Sequence, residues 1–204
     1  MKNSIDLGAY LQTFSKIFPS QLKENPWHIP QLLGQMLTEK FNALTGEYRI
    51  QDDVAIHKSA RIEDHAVIKG PAIISANCFI AAHAYLRGGV FLDERVTIGP
   101  GCEVKTSIVL ANSALAHFNF VGDSIVGAHV NMEAGSVIAN HYNEREQKEI
   151  AVLINGKCMP TGCQKFGALI GDHTKIGANA VLSPGTILEP RSVVGRLALV
   201  AQCG

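Results

Sequence analysis

A branched or long aliphatic residue recurs every six positions from Ile56 onward: Ile62, Ile68, Ile74, Ile80, Leu86, Leu92, Ile98, Val104 and Leu110. Two residues before each of these runs a column of small or apolar side chains: Val54, Ala60, Ala66, Ala72, Cys78, Ala84, Val90, Val96, Cys102 and Ile108. Two inward positions separated by one outward residue are strand alternation, and its interruption at a fixed interval marks corners. Small residues such as Ala81, Gly99, Ala111, Gly171 and Gly177 often follow the aliphatic one, as tight corners favour. Neither amphipathic helices nor βα units give an exact six-residue period. The pattern therefore predicts a mainly β chain, a parallel β-helix of hexapeptide repeats in which each rung pairs with the coils above and below.

The step is lost around "ALAHFNFVGD", residues 114–123. The aliphatic series continues there as Leu115, Val121, Val126, Met132 and Ile138, which places one short rung from Leu110 to Leu115 and another from Val121 to Val126. His117 lies between them, and irregularities of this kind are common beside active sites. Residues 141–167 abandon the repeat. Their alternating "EIAVLI" followed by "NGK" predicts a hairpin-like excursion, and loops on a rigid scaffold often carry binding groups. The repeat resumes as Ile170, Ile176, Leu182, Leu188, Val194 and Val200. Residues 1–50 differ: "SIDLGAYLQTFSKIF" and "PQLLGQMLTEKFNAL" have helical spacing, closed by Pro19 and Gly46. They are read as a helical cap over the exposed end of the β-helix formed by residues 51–204.

Composition narrows the function classes. Lys plus Arg equals Asp plus Glu at 18 each, so no global field attracts nucleic acid or an anionic membrane. No stretch reaches the roughly 20 apolar residues of a membrane span, and the N-terminus lacks the apolar run of a signal peptide. A cytoplasmic protein is expected. Cys78 and Cys102 occupy the small inward column, where cysteine acts as a small hydrophobe. Cys158 and Cys163, in "CMPTGC", are read as reduced bystanders, because their spacing fits no standard zinc pattern.

With three rungs to a coil, residues 18 apart stack. Lys69, Arg87 and Lys105 form one such column, and His65 and His83 another. Stacked cations repel unless they share an anion such as phosphate or splay into solvent, and the columns alone leave both readings open. His117 has Glu103 on the preceding coil and Asn131 and Asn140 further along. A carboxylate that orients a proton-accepting imidazole is general-base logic.

The block "IGPGCEVKTSIVLANSALAHFNFVGDSIVGAHVNMEAGSVIAN", with "YLRGG" before it and "QKFGALIGD" after it, is similar to a known family. It resembles the acetyltransferase domain of bifunctional N-acetylglucosamine-1-phosphate uridylyltransferases and the C-terminal β-helix of archaeal sugar-phosphate nucleotidylyltransferases. The resemblance spans roughly residues 80–200. It implies a left-handed β-helix, a homotrimer with active sites between subunits, acetyl-CoA as co-substrate and no metal. By the same resemblance His117 is the general base, oriented by Glu103, and Arg87 and Lys105 hold a sugar phosphate. Phe120, Asn131 and Asn140 contact the substrate, while Ala134, Lys165, Ala178 and Gly195 face the acyl donor. The function implied is direct N-acetylation of an amino-sugar phosphate of the glucosamine-1-phosphate kind.

Three departures accompany the resemblance. Phe120 stands where the family has Tyr, Glu133 replaces a glycine near the acyl-donor side, and the helical segment takes the place of a nucleotidyltransferase domain. A zinc hydratase of the γ-carbonic anhydrase type needs two histidines five residues apart, a spacing that this chain does not contain. A non-catalytic β-helix scaffold is the alternative, favoured by the lost tyrosine and opposed by the joint presence of Glu103, Lys105, His117, Asn131 and Asn140.

Overall fold

The computed structural model describes residues 5–203, so Ser4, where the helical spacing begins, and Gly204 lie outside them. The chain forms a β-solenoid of about 8 turns with a short N-terminal helical region. Its short parallel strands build three faces. On the first, Ala55, Ile73, Phe91, Ile108, Ile125, Leu169 and Ile187 lie in register. On the second the column is Arg61, Phe79, Thr97, Ala114, Asn131, Lys175 and Val193. On the third it is Val67, Tyr85, Glu103, Phe120, Val137, Val181 and Leu199. Between the faces, the inward aliphatic residues and the small column form one continuous core. Cys78 and Cys102 are buried in it with free thiols, and burial pushes Cys78 up to about 11.

The short rungs fall differently from the sequence expectation. Arg87 pairs with Lys105 and Val90 with Ser107, so the register shifts between them. The first short rung therefore runs from Val104 to Val109 and not from Leu110 to Leu115. Val109 points into the solenoid core, while Ile108 and Leu110 belong to the apolar cluster outside the first face. The second runs from Val121 to Val126, as expected. Both shortened corners, around Thr106 and Asp123, join the third face to the first. A lost residue leaves the amide of the next coil without its usual carbonyl, and serine hydroxyls take that place. Ser107 Oγ donates to the Lys105 carbonyl and accepts from the Ser124 N–H. Ser124 Oγ donates to the Gly122 carbonyl and accepts from the Ala168 N–H. Buried amides are not left orphaned.

The helical region lies along a flank instead of over the end of the solenoid, which corrects the expected cap. The helix Ile29–Phe41 starts with Pro30 in its first turn and buries Ile29, Leu33, Met36 and Leu37 at helical spacing. These join Leu7, Leu11, Phe14, Phe18 and Trp27 against Ile73, Phe91, Ile108 and Ile125. The first face is apolar on its outside as well as its inside, so covering it stabilises the fold by roughly 1.5–3 kcal/mol for each large side chain fully buried. Asp172 ties the segment down: its carboxylate accepts from the Gln12 and Ala128 amides, and its own N–H donates to the Tyr10 carbonyl. The end of the solenoid is instead bordered by Tyr48–Gln51, which pairs antiparallel with Val54–His57.

Between Asn140 and Gly167 the chain leaves the solenoid and forms a hairpin, Ala151–Ile154 against Lys157–Pro160. Phe166 donates to the Asn140 carbonyl and Gly167 to the Asp123 carbonyl, so both feet of the excursion close on the corner of Asp123. Cys158 is disulfide-bonded to Cys203, and Cys163 is buried and free, so the reading of Cys158 as a reduced bystander is corrected. Among the described residues no helix is long and apolar enough to cross a membrane.

Candidate active site

The third face carries four of the singled-out residues, Arg87, Glu103, Lys105 and Phe120, on one short stretch of strand. Glu103 and Phe120 are side by side on neighbouring coils, and Arg87, Lys105 and Gly122 are in register at the strand end. His117 stands at the opposite edge, on the corner that joins the second face to the third. It is exposed, and its carbonyl accepts from the Gly135 N–H of the next coil. Among the described residues its ring makes no hydrogen bond. The sequence placed His117 between the short rungs, but in space those corners lie across the third face from it.

Glu103 does not meet His117 within the chain. Its Oε1 accepts from Arg87 Nε at 2.8 Å and lies 2.6 Å from a terminal guanidinium nitrogen. The two are outward residues on adjacent coils, offset diagonally, where opposite charges attract. Lys105 Nζ is 2.7 Å from Asp123 Oδ2. Arg87 and Lys105 thus stack as the repeat predicts, but each has its own carboxylate, and the expected repulsion is relieved without a bound anion. The Tyr85 ring sits between cations, with Lys69 Nζ 5.3 Å and the Arg87 guanidinium carbon 5.7 Å from its centroid. The His65 and His83 rings stack in parallel at 5.5 Å.

Asn140 is buried at the corner of Asp123, to which its amide nitrogen donates. Its oxygen is 3.1 Å from His141 Nδ1. Lys165 precedes Phe166 at the foot of the excursion, so within one chain it belongs to this corner and not with the other residues expected to face the acyl donor. Asp123, which the sequence reading did not single out, is the group on which Lys105 and Asn140 converge. Its only sequence signal was a polar residue at a shortened corner.

Asn131 lies on the second face, in an open cleft of about 450 Å³ lined also by Glu133, Lys175, Val193, Gly195 and Arg196. Ala134 and Ala178 stack on the corner of His117, where the Asn179 N–H donates to the Ala134 carbonyl. Glu133 does not leave a bare negative charge there. Arg196 donates to both of its oxygens, at 2.8 and 3.0 Å, and the Ala178 N–H donates to Oε2 at 2.9 Å. The Arg196 guanidinium, with help from that amide, lowers the Glu133 carboxyl to about 2. Glu63 treats the Ala82 N–H in the same way near the other end of the solenoid, so this is a recurrent way of capping a corner amide. Replacing Arg196 with Ala is expected to return the Glu133 midpoint upward toward the ordinary carboxylate range, followed by carbon-13 NMR of the side chain against pH. A midpoint that stays near 2 would mean that the amide, and not the guanidinium, sets it.

The third face of the β-solenoid thus has an exposed imidazole at one edge and two cations, each paired with a carboxylate, at the other. Comparisons with known proteins make the class specific. A family model described as the GMPPB C-terminal domain matches residues 69–159. The chain is 34% identical over 183 residues to an uncharacterized acetyltransferase, YaiX, of Escherichia coli O6:K15:H31, covering 84% of this chain and 79% of that one. It is 33% identical over 161 residues to a bifunctional sugar-1-phosphate nucleotidylyltransferase/acetyltransferase of Sulfurisphaera tokodaii, covering 79% of this chain and 39% of that one. It is 36% identical over 180 residues to the bifunctional protein GlmU of Methanococcus maripaludis strain S2, covering 86% of this chain and 43% of that one. The chain spans about two fifths of the length of these archaeal relatives. The chain belongs to the hexapeptide-repeat acetyltransferases, related to the β-helical C-terminal domain of GlmU and of the archaeal bifunctional enzymes.

Proposed function

We propose that the protein transfers an acetyl group from acetyl-CoA to the amine of an amino-sugar phosphate of the glucosamine-1-phosphate kind. The observation that carries this reading is the layout of the third face. His117 stands at one edge and Arg87 and Lys105 at the other, on the order of 15 Å apart along the backbone at strand rise. The reach of these side chains narrows that span to the size of a phosphorylated sugar. His117 accepts a proton from the amine as its nitrogen attacks the thioester carbonyl. The C–N bond forms, the C–S bond breaks, and backbone N–H groups at the corner stabilise the oxyanion before thiol is released. Glu103 serves this site by holding Arg87. The cleft beside Asn131, with Lys175, Arg196 and apolar Val193, suits an acyl donor that carries phosphates.

The site is completed by neighbouring subunits of a homotrimer. In support, the second and third faces are free of the helical region and expose Val181, Val193 and Leu199, with Leu197 at the corner between them. A non-catalytic scaffold remains the second reading, favoured by one observation: the backbone amide of Ala178, a residue expected to face the acyl donor, is engaged by Glu133.

The test is CoA release from acetyl-CoA with glucosamine-1-phosphate and a panel of other amino-sugar phosphates. Turnover that requires both the amine and the phosphate supports the acetyltransferase. No turnover across the panel, together with no binding of acetyl-CoA, favours the scaffold.

A further inference from the structure

We infer that Asp123 is a positioning residue that fixes both the ammonium of Lys105 and the amide of Asn140. This deepens the sugar-phosphate reading and rests on it for its kinetic consequence.

Three features of the corner lead there. The shortened rung stacks Thr106 and Asp123, each with positive φ, where the full-length rung has Gly88 and Gly89. The Asp123 backbone is held on both sides, its N–H donating to the Lys105 carbonyl and its carbonyl accepting from Gly167. Its side chain is only 9% exposed, and it has two donors: Lys105 Nζ at 2.7 Å and Asn140 Nδ2.

The chemistry of these donors gives the carboxylate its role. An ionised carboxylate only accepts, so it fixes which end of the Asn140 amide faces it. The Asn140 oxygen is thereby turned toward His141 Nδ1, 3.1 Å away. The same carboxylate draws Lys105, a flexible cation on a four-carbon stem, into one place, where a second N–H makes only a long bond to Thr106 Oγ1 at 3.4 Å and the third is left for an anion. Ammonium, carboxylate, amide and imidazole form a chain across three successive passes of the polypeptide, and the excursion closes on the same corner. Removing the negative charge leaves Lys105 free to swing and Asn140 free to turn over. Neither change touches His117, which stands across the third face.

Asp123→Asn is the informative substitution, because Asn tolerates positive φ as well as Asp and so preserves the corner. Two readouts are needed. Pulsed lysine labelling followed by mass spectrometry reports on Lys105 directly, with Lys58, 61% exposed, as the internal standard. Lys105 is expected to label several-fold more slowly than Lys58 in the wild type and at a similar rate in Asp123→Asn. Kinetics on the best amino-sugar phosphate is expected to show KM for the sugar raised roughly 10-fold or more, the size of a lost hydrogen bond to a charged group. Turnover number and KM for acetyl-CoA are expected to stay near wild type, a split that general loosening of the fold would not produce.

In a Lys105→Met background, adding Asp123→Asn is expected to raise KM by a smaller factor than in the wild type, the remaining rise reporting on Asn140 alone. The double variant leaves no buried charge unpaired, so it remains a test should the single variant fold poorly. Equal Lys105 labelling in wild type and Asp123→Asn would overturn the proposal. So would a rise in KM for acetyl-CoA as large as that for the sugar. If the wild type acetylates no amino-sugar phosphate, the functional reading fails, and the labelling comparison still decides whether Asp123 holds Lys105.

Discussion

His117→Ala is expected to lower acetyl transfer by roughly 10²–10⁴-fold, the contribution of a positioned general base, with little change in stability. The magnitude follows from what the amine needs. A protonated amine has no lone pair to attack with, and the attacking nitrogen must lose a proton as the C–N bond forms. His117 is exposed and makes no side-chain hydrogen bond among the described residues, so its removal breaks no internal contact. Surface changes of that kind usually stay within about 0.5 kcal/mol. Activity and thermal stability are therefore expected to separate cleanly, measured as kcat/KM for the sugar and as Tm on the same preparation. Loss of activity with a parallel fall in Tm would point to a structural role at the corner. Activity within a few-fold of wild type would remove His117 from the mechanism and shift attention to His141, the imidazole at the phosphate edge.

Much of the solenoid is legible in its repeat. The inward columns from Ile74 to Val104 come directly from strand alternation, and the His65 and His83 stack comes from the coil length. Where the reading slips, it slips by one residue. Val109 and Leu110 are both aliphatic, so the period alone cannot say which is inside. Ser107 and Ser124, whose hydroxyls accept from the next coil's amides, mark the corners that lost a residue. Pairing between side chains was less accessible. Stacking predicts that Arg87 meets Lys105, but the stronger contacts are diagonal, from Arg87 to Glu103 and from Lys105 to Asp123. The helical segment was recognised as helical, yet its docking surface depended on the outward residues of the first face. Ile73, Phe91, Ile108 and Ile125 form an apolar exterior that needs a cover, and a flank offers more of it than an end does. The partner of Cys158 lies 45 residues away, and residue type alone does not reveal such pairings.

Breaking the Cys158–Cys203 bond, by reduction or by Cys158→Ser, is expected to destabilise the last coils by roughly 4 kcal/mol, the chain-entropy value for a loop of this length. The bond joins the excursion hairpin to residues that follow the final strand. Next to it, the Gln202 side chain accepts from the Ile187 N–H and donates to the Ile187 carbonyl, both at 2.8 Å, as a further strand would. Together they blunt an exposed strand edge at the end of the solenoid. Each coil of a solenoid contacts mainly its neighbours, so the loss is local before it is global. Hydrogen exchange is expected to rise first in Thr186–Leu188 and Val193–Val194, while the strand Tyr85–Leu92 keeps its protection. In a chain of this size each kcal/mol moves Tm by roughly 2–4 °C where unfolding is cooperative. Identical exchange in the C-terminal coils with and without reductant would show that Gln202 alone closes that end. Faster exchange confined to them would make the oxidation state of Cys158 and Cys203 a determinant of how firmly the cleft lined by Val193, Gly195 and Arg196 is held.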